Sequence, residues 1–492
     1  MIFQFLSYMK GERMRGKVRY PKRRPMKKST KWILGLICVV LVLGIGAGVI
    51  LGTQVAPIAT AYAAKRLCSC VFVSHREPTA VLQEELKPFG YVHLDIDFSQ
   101  KKVTGSILGM AKRTAVYRDG LGCTLAIGLA EDELRSQAAG LKPVRLDESN
   151  KPWPEGDRLE GDSLPAVIDS PRLKNAMDRA FAEPDPAKPG RTRAVIVLYD
   201  GKIIAERYAA GFTRETPQLG WSMTKSVTNA LVGVLVKEGK LRLQDPAPVP
   251  EWRSPQDPRA AITLDELMRM SSGLRFKEDY KNPRSDAIRM LLAEPDAGAY
   301  AAEKPLEVPP NSRWSYSSGT ANIIARIVRQ NVGGSLSDFV SFAHRALFDR
   351  VGMASAVIEP DPSGTFAGSS FMYATPRDWA RFGLLYYNSG VWKNERILPE
   401  GWVKYSTTPT PNAPKGEYGA QFWLNAGRSG QPEDRWMPKV PPDMYSLRGH
   451  EGQYVAIIPS KKLVVVRLGL SVGEKAWDQE QFLADIIEAL KG

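Results

Sequence analysis

The residues of this chain best suited to chemistry begin at Ser222, in the segment Ser222-Met223-Thr224-Lys225. A serine hydroxyl is a weak nucleophile until a neighbouring base takes its proton. On a helix, residues three apart share a face, so Lys225 would lie within hydrogen-bond reach of Ser222. Burial and the positive end of the helix dipole both disfavour the ammonium form, so Lys225 can act as a base. The segment predicts a serine nucleophile activated by a lysine.

The Ser-x-x-Lys spacing occurs three times, and the surrounding sequence separates the copies. The copy at 7–10 lies in a basic N-terminal stretch, and the copy at 99–102 lies in a strand and turn region. The copy at 222–225 opens a mostly apolar segment with helical character. The first turn of a helix leaves backbone N–H groups free, and these favour negative charge on an oxygen. The third copy is therefore the candidate.

Short motifs follow Ser222 in a fixed order. The segment 219–226 is followed by Gly239-Lys240-Leu241, Asp245-Pro246, 262–267 and 270–274. This series resembles the penicillin-recognising serine hydrolases of the class C β-lactamase type, which include D-amino-acid peptidases, carboxylesterases and aminohexanoate-dimer hydrolases. The resemblance runs from about Val195 to Leu490. It implies hydrolysis of an ester or amide through an acyl-enzyme, with no cofactor.

The second motif of that family is Tyr-x-Asn, and this chain has Tyr316-Ser317-Ser318 in its place. The resemblance implies that Tyr316 is catalytic and passes a proton to the leaving group. Ser318 would bind substrate through one hydrogen bond, without the paired donor and acceptor of an amide. The motifs are most similar to the aminohexanoate-dimer hydrolase and carboxylesterase branch, which tolerates serine here.

The third motif, Lys-Thr-Gly or His-x-Gly on an edge strand, is matched by His450-Glu451-Gly452. His450 and Gly452 are therefore expected to contact substrate, since a glycine allows close approach to the strand backbone. The next residue, Gln453, would donate its backbone N–H to the oxyanion hole together with the N–H of Ser222. Tyr280 is expected to face the substrate, and packing within its loop is the alternative.

The altered second and third motifs favour an esterase or linear-amide hydrolase. A histidine is only partly charged at neutral pH, so His450 would hold a substrate carboxylate less firmly than lysine. The alternatives are a β-lactamase or D-amino-acid peptidase acting on cell-wall-type substrates, and a non-catalytic peptide-binding receptor on the same fold. An α/β-hydrolase is disfavoured, because the segment 220–224 lacks the second glycine of a nucleophile elbow.

The elements that must position these residues are strands at both ends of the body with helices between them. Alternating apolar segments flank turns within 194–208 and 454–468, and each pair predicts a hairpin. We predict an α/β (α+β) fold in which an antiparallel sheet carries helices on both faces beside a helical lobe, as in β-lactamases and transpeptidases. The predicted serine hydrolase domain is 166–492, preceded by a small strand-rich region, 65–147, and a linker, 148–165.

The N-terminus predicts export. Residues 1–31 read as a basic cytoplasmic tail, and residues 32–52 are uncharged and apolar or small. A helix of that length spans about 30 Å, enough for a bilayer core. Basic flanks stay in the cytoplasm, so the catalytic domain should be membrane-anchored and periplasmic or extracellular. The alternative is a cleaved signal peptide and a secreted protein, with Ala61-Tyr62-Ala63 as the cleavage site.

Charge and cysteine content restrict the partners. The net charge is +14, but the stretch 10–31 carries eleven of the basic residues and one acid, so the remainder is nearly balanced. This excludes a nucleic-acid surface. The resemblance implies a small-molecule ester or amide as the partner, and the N-terminal segment implies the membrane as a second one. No Cys/His cluster has zinc spacing, so no metal is expected. Export would place Cys68, Cys70 and Cys123 in an oxidising compartment, where Cys123 should pair with Cys68 or Cys70, with Cys68 slightly preferred.

Overall fold

The computed structural model describes residues 36, 51–141, 150–159, 161, 163–473 and 476–491. The predicted tail 1–31 lies outside these residues, as does almost all of the predicted membrane segment 32–52. Within the described ranges, no helix has both the length and the apolar character needed to span a bilayer. Residues from Gly52 onward form one compact unit, so the strand-rich region and the predicted hydrolase domain fold together.

A six-stranded sheet forms the centre of the catalytic part, and all of its neighbouring strands are antiparallel. In spatial order its strands are Trp423–Leu424, Tyr445–Gly449, Gln453–Ile458, Leu463–Gly469, Thr192–Tyr199 and Lys202–Tyr208. The first and last segments of the domain thus meet in the middle of the sheet. Both predicted hairpins are confirmed, and the strand Leu463–Gly469 pairs with the strand Thr192–Tyr199.

Both faces of this sheet are buried, because successive side chains of a strand point to opposite sides. Val195 and Val197 face a core that includes Leu173 and Phe482, from the helices Ser170–Phe181 and Gln479–Glu488. Ile196, between them, faces the larger core on the other side. The helix Pro376–Tyr387 packs on that second face. The predicted antiparallel sheet with helices on both faces is confirmed.

A group of helices follows the nucleophile segment. The long helix Ser318–Asn331 lies at its centre and packs against the helices on either side of it in sequence. The helices between the sheet's first hairpin and its last strands are Thr224–Lys237, Leu264–Met268, Asp286–Leu292, Ala297–Ala302, Ser318–Asn331, Leu336–Ala343, Asp349–Val351, Pro376–Tyr387 and Trp402–Ser406. Small sheets join Gln218–Leu219, Met372–Ala374 and Val357–Ile358, and Val391–Trp392 with Glu395–Arg396.

The region before the linker is a helix packed on a four-stranded antiparallel sheet. Its strands are His93–Asp97, Lys102–Ile107, Met110–Arg118 and Gly122–Leu125, and its helices are Ala56–Phe72, Pro78–Glu84 and Glu131–Ser136. We call Ala56–Phe72 the N-terminal helix. Residues 65–72 of the predicted strand-rich region belong to this helix. The alternation of apolar and polar residues that is typical of a strand begins only near residue 91. The helix packs across the sheet strands and is almost wholly buried.

Covalent and ionic contacts fix the N-terminal helix in place. Cys68 and Cys123 form a disulfide, as predicted, and Cys70 is free and buried, which raises its pKa to about 11. Lys65 forms a buried ion pair with Glu359 of the catalytic part. The same carboxylate accepts hydrogen bonds from the Ser69 hydroxyl and the Cys123 backbone N–H, each at 2.7 Å. A buried carboxylate with these partners ties the two regions together.

The segment read as a linker is also held against the catalytic part where the structure describes it. Arg381 donates to the backbone carbonyls of Pro154 and Gly156 at 2.9 and 2.8 Å. The indole N–H of Trp153 donates to the Gly201 carbonyl at 2.8 Å. These bonds bind the described part of the connection to the sheet and to the helix Pro376–Tyr387.

Candidate active site

The nucleophile candidate lies at the start of a buried helix. Ser222 occupies the short 3-10 turn Trp221–Met223, which leads directly into the helix Thr224–Lys237. The backbone of Trp221 has a φ of +49°, a left-handed conformation that is uncommon for a bulky residue. Gly220 precedes it, and a Cβ there would lie 2.3 Å from the ring of Trp379. The turn that presents Ser222 is therefore held in a strained shape by close packing.

Lys225 lies one helical turn further and points back at Ser222. Its Nζ is 3.1 Å from the Ser222 Oγ, 3.1 Å from the Ser318 Oγ and 3.0 Å from the Ser369 carbonyl. The side chain is buried, and burial lowers its pKa from 10.5 to about 8, while the negative charge of Glu278 opposes the shift. Lys225 is therefore far easier to deprotonate than an exposed lysine.

Tyr316 joins this pair from the other side of the cavity. The centroid of its ring is 4.8 Å from the Lys225 Nζ, and its hydroxyl is close enough to Ser222 for that side chain to lower its pKa by hydrogen bonding. Its ring packs against Tyr418 and Trp423, with centroids 5.7 and 5.4 Å away. Burial raises its pKa well above 10, and the Ser222 bond partly opposes that shift. The three predicted catalytic residues converge.

Glu278 and Arg448 are residues of this site that sequence reasoning missed, and Glu278 contacts the second motif directly. Its carboxylate accepts from the Ser318 backbone N–H at 2.8 Å and from the Ser318 hydroxyl at 2.5 Å. It also accepts from the Tyr280 hydroxyl at 2.5 Å, which lies 2.9 Å from the Ser318 Oγ. The only available signal was that Glu278 stands two residues before Tyr280. A carboxylate thus organises the hydroxyl groups beside Lys225.

Ser318 contacts this network instead of the cavity. It is fully buried and does not line the cavity, so its predicted role in binding substrate is corrected. Its hydroxyl accepts from the Lys225 Nζ and donates to Glu278. Tyr280 does line the cavity, with its ring exposed and its hydroxyl held by Glu278, so its contact with substrate stays a prediction.

The third motif is only partly in the expected place. His450 lines the cavity, stacks on Tyr280 at 6.2 Å and meets the edge of Trp221 at 5.7 Å between ring centroids. Gly452 does not line the cavity; its φ is +79°, and a Cβ there would lie 2.4 Å from the Arg467 guanidinium. Glycine is therefore needed for the turn, and the contact of Gly452 with substrate stays a prediction.

The predicted use of Gln453 in the oxyanion hole is also corrected. Its backbone N–H donates to the His450 carbonyl, which closes the turn His450–Gly452. Its side-chain amide bonds the backbone of Gly469 at 2.6 and 2.9 Å, away from Ser222. The glycine that approaches the nucleophile turn is Gly449, where a Cβ would lie 2.1 Å from the Gly220 carbonyl. The strand Tyr445–Gly449 therefore meets the nucleophile turn at Gly449, earlier than the motif indicated.

Arg448 supplies the positive charge on this strand. It lines the cavity beside Gly449, and its guanidinium lies 3.8 Å from the ring centroid of Trp436 and 5.6 Å from that of Trp423. Burial lowers its pKa to about 10, so it stays protonated at neutral pH. In the part of the chain that the structure describes, no carboxylate forms an ion pair with it. A cation held only by aromatic rings is available to an anionic ligand.

The cavity has a volume of about 660 Å³, which is the size of a small-molecule site. The polar side chains of its lining include Ser222, Tyr316, Arg448 and His450, together with Tyr280, Lys281 and Ser370. Apolar and aromatic side chains form most of the remaining wall, and several of them come from the N-terminal region. No group of acidic, histidine or cysteine residues with the arrangement of a metal site occurs among the described residues.

Comparison with known proteins places the chain. The family model described as Beta-lactamase matches residues 179–480, which is more than half of the chain. The chain therefore belongs to the beta-lactamase family, and it is a serine hydrolase with the fold of that family. The resemblance read from the sequence is confirmed at this level.

Individual relatives agree with that assignment. A 6-aminohexanoate-dimer hydrolase from Paenarthrobacter ureafaciens is 26% identical over 303 residues, covering 56% of this chain and 72% of that protein. A structure from Bacillus anthracis assigned as a 6-aminohexanoate-dimer hydrolase is 22% identical with a TM-score of 0.51, covering 67% of this chain and 85% of its own. EstCE1, a hydrolase with promiscuous acyltransferase activity, is 14% identical with a TM-score of 0.50, covering 66% and 98%. The two structures share the fold.

Replacing Glu278 tests its electrostatic influence on Lys225. In Glu278→Gln the negative charge that favours the ammonium is lost, so the pKa of Lys225 should fall below about 8. The pH at which kcat/KM reaches half its plateau should move to lower pH. The plateau should drop about ten- to a hundredfold, because Ser318 and Tyr280 lose a charged acceptor.

Asp279→Asn is the matched control, since that carboxylate accepts from the Lys281 backbone N–H and not from Ser318. Its pH profile should match the parent. An unchanged or upward-shifted midpoint in Glu278→Gln would contradict the assignment.

Proposed function

We propose that Ser222 is the nucleophile and Lys225 the base of an acyl-enzyme hydrolase that acts on esters or linear amides. The observation that carries the proposal is the 3.1 Å contact between the Lys225 Nζ and the Ser222 Oγ at the wall of the cavity. A pKa of about 8 gives Lys225 a substantial neutral fraction near neutral pH, as a general base requires.

The reaction follows from this arrangement. The Ser222 Oγ bonds to the substrate carbonyl carbon as its proton passes to Lys225. Tyr316 protonates the leaving alcohol or amine when the scissile bond breaks, and the proton that Lys225 took from Ser222 replaces it by way of the solvent, because the acylated Ser222 Oγ carries no proton. Water then attacks the acyl-Ser222 ester, gives a proton to the same groups and releases the acid. Ser222, Lys225 and Tyr316 thus return to their starting protonation states, and each turnover consumes one water.

The oxyanion needs two backbone donors. The Ser222 N–H lies in the first helical turn, where no intrahelical acceptor is available. We assign the second donor to the His450 backbone N–H in place of Gln453, because His450 follows Gly449 at the point where the strand Tyr445–Gly449 meets the nucleophile turn. We also propose that the enzyme is of the class C subtype, because its sequence motifs follow the order found in that group.

A linear amide or an ester is the favoured substrate. The curated relative acts on 6-aminohexanoate dimer by its name, and that compound is a linear amide. The cavity of about 660 Å³ is large enough for such a small molecule, and Ser318 keeps the second motif in contact with Lys225.

Arg448 favours a second candidate. The sequence suggested that the site lacks a firm positive charge, but Arg448 supplies one without a carboxylate partner in the described chain. Cell-wall peptides and β-lactams carry a carboxylate close to the scissile amide. Hydrolysis of such substrates, as by a β-lactamase or D-amino-acid peptidase, is therefore the alternative.

We also propose that residues 32–52 anchor the protein in a membrane, with the catalytic part outside the cytoplasm. The support is the uncharged apolar run and the basic residues before it. The disulfide between Cys68 and Cys123 is in accord with an oxidising compartment.

The catalytic pair predicts non-additive mutants. Ser222→Ala, Lys225→Ala and the double variant should each lose about a thousandfold or more of kcat/KM on a chromogenic ester and share a similar residual rate. An active-site serine probe should label the parent and not Ser222→Ala. Lys174→Ala, an exposed lysine on the helix Ser170–Phe181, is the control. A parent that takes no label would indicate the binding receptor instead.

A substrate panel separates the two candidates. Chromogenic esters, linear amide oligomers and a cephalosporin should be compared in the parent and in Arg448→Met, which keeps an unbranched stem that can pack on the aromatic rings and removes the charge. Under the favoured function, Arg448→Met changes kcat/KM on neutral esters less than threefold. Loss of about tenfold or more on carboxylate-bearing substrates, with the cephalosporin the best of the panel, would favour the alternative.

The anchor is tested by fractionation. The full chain should remain in the membrane pellet after alkaline carbonate extraction, while a variant with three Leu→Asp changes within 32–52 should move to the soluble fraction. Intact-mass measurement of the purified protein distinguishes an anchor from a leader cleaved near Ala63. Full release of the unmodified chain by carbonate would contradict anchoring.

A further inference from the structure

We infer that the N-terminal helix forms one wall of an acyl-chain channel, and that the substrate is an ester or amide of an apolar acid with a chain of about six carbons or more. The inference rests on the proposed function and adds the substrate class. It comes from residues outside the segment that matches the family, which begins at residue 179.

The wall in question has a uniform character. The side chains that the N-terminal region contributes to the cavity are all apolar or aromatic, and they are Val55, Ile58, Ala59, Tyr62, Phe89 and Tyr91. Ile288, Leu291 and Leu292, on the helix Asp286–Leu292, continue this surface. Apart from the hydroxyls of Tyr62 and Tyr91, these side chains offer no hydrogen-bonding group, so a charged substrate group would lose hydration against most of the wall, whereas a hydrocarbon chain gains about 0.8 kcal/mol for each methylene buried.

The wall is anchored directly to the catalytic turn. Arg66 of the N-terminal helix pairs with Glu451 at 3.1 Å, and the same carboxylate oxygen accepts from the Trp221 indole N–H at 2.8 Å. The Arg66 guanidinium also lies 5.3 Å from the centroid of a Trp221 ring. Trp221 precedes Ser222, so the apolar wall holds a defined position relative to the nucleophile.

The packing of the site indicates which part of the substrate meets this wall. Tyr316 protonates the leaving group in the proposed reaction, and it packs in a cluster with Tyr418 and Trp423, next to Arg448. The N-terminal wall belongs to a separate cluster built around the N-terminal helix. The leaving group is therefore directed to the Tyr316 side, and the acyl group to the N-terminal side.

The test is a series of p-nitrophenyl esters from acetate to dodecanoate, assayed with the full chain below the critical micelle concentration of each ester. We expect kcat/KM to rise about two- to fourfold per added methylene up to at least the hexanoate, in line with about 0.8 kcal/mol per buried methylene.

Two variants probe the wall itself. Ala59→Phe fills the channel from the helix, and Tyr91→Asp places a charge at its mouth; each should lower the ratio of octanoate to acetate kcat/KM at least tenfold. Tyr91 is 61% exposed, so the second variant does not depend on refilling a core. Phe98→Asp is its matched control, being 61% exposed and not part of the cavity lining, and should leave the ratio unchanged.

The outcomes distinguish a failure of the acyl-chain channel from a failure of the proposed function. If kcat/KM is flat or falls beyond the acetate while Ser222→Ala still abolishes hydrolysis, the channel is refuted and the proposed function stands. Equal effects of Tyr91→Asp and Phe98→Asp would also refute the channel. If Ser222→Ala hydrolyses every ester as fast as the parent, both are overturned.

Discussion

The buried amino group of Lys225 is the constraint on which the rest of the site depends. An ammonium taken out of water without an adjacent carboxylate is costly, and this cost is what brings its pKa to about 8. The surroundings limit the cost without cancelling it, since two serine hydroxyls and one carbonyl contact the Nζ. Glu278 acts through Ser318 and keeps its charge one hydroxyl away from Lys225. A direct ion pair would return the lysine to its charged form and remove the base.

How much of this could be read from the sequence depended on distance along the chain. Ser222 and Lys225 are three residues apart on one helix, so elementary helix geometry placed them correctly. Glu278 bonds Ser318 across 40 residues, and no periodic pattern announces such a contact. Gln453 was misassigned because its backbone N–H is hydrogen-bonded to the His450 carbonyl within a turn. Sequence alone does not show whether a glycine lies in a turn or in a strand, since this depends on close contacts such as that of Gly452 with Arg467.

The same reasoning explains the fold. Alternating apolar residues predicted both hairpins of the central sheet, because each hairpin is local. The role of the N-terminal helix was not predictable, since its partners Glu359 and Glu451 lie about 290 and 385 residues away. The N-terminal region, which supplies most of the apolar wall, lies outside the matched family segment. Its Arg66 nevertheless binds the same Glu451 carboxylate as Trp221, the residue before the nucleophile.

The N-terminal helix also determines which of its two cysteines forms the disulfide with Cys123. Cys68 and Cys70 are two residues apart, so on a helix with 3.6 residues per turn their side chains point about 200° away from each other. Cys68 faces the sheet strand that carries Cys123, and Cys70 is left buried as a free thiol. In an extended chain the two sulfurs would compete for Cys123 on nearly equal terms. The choice of oxidation partner in the folded chain is therefore a property of its secondary structure.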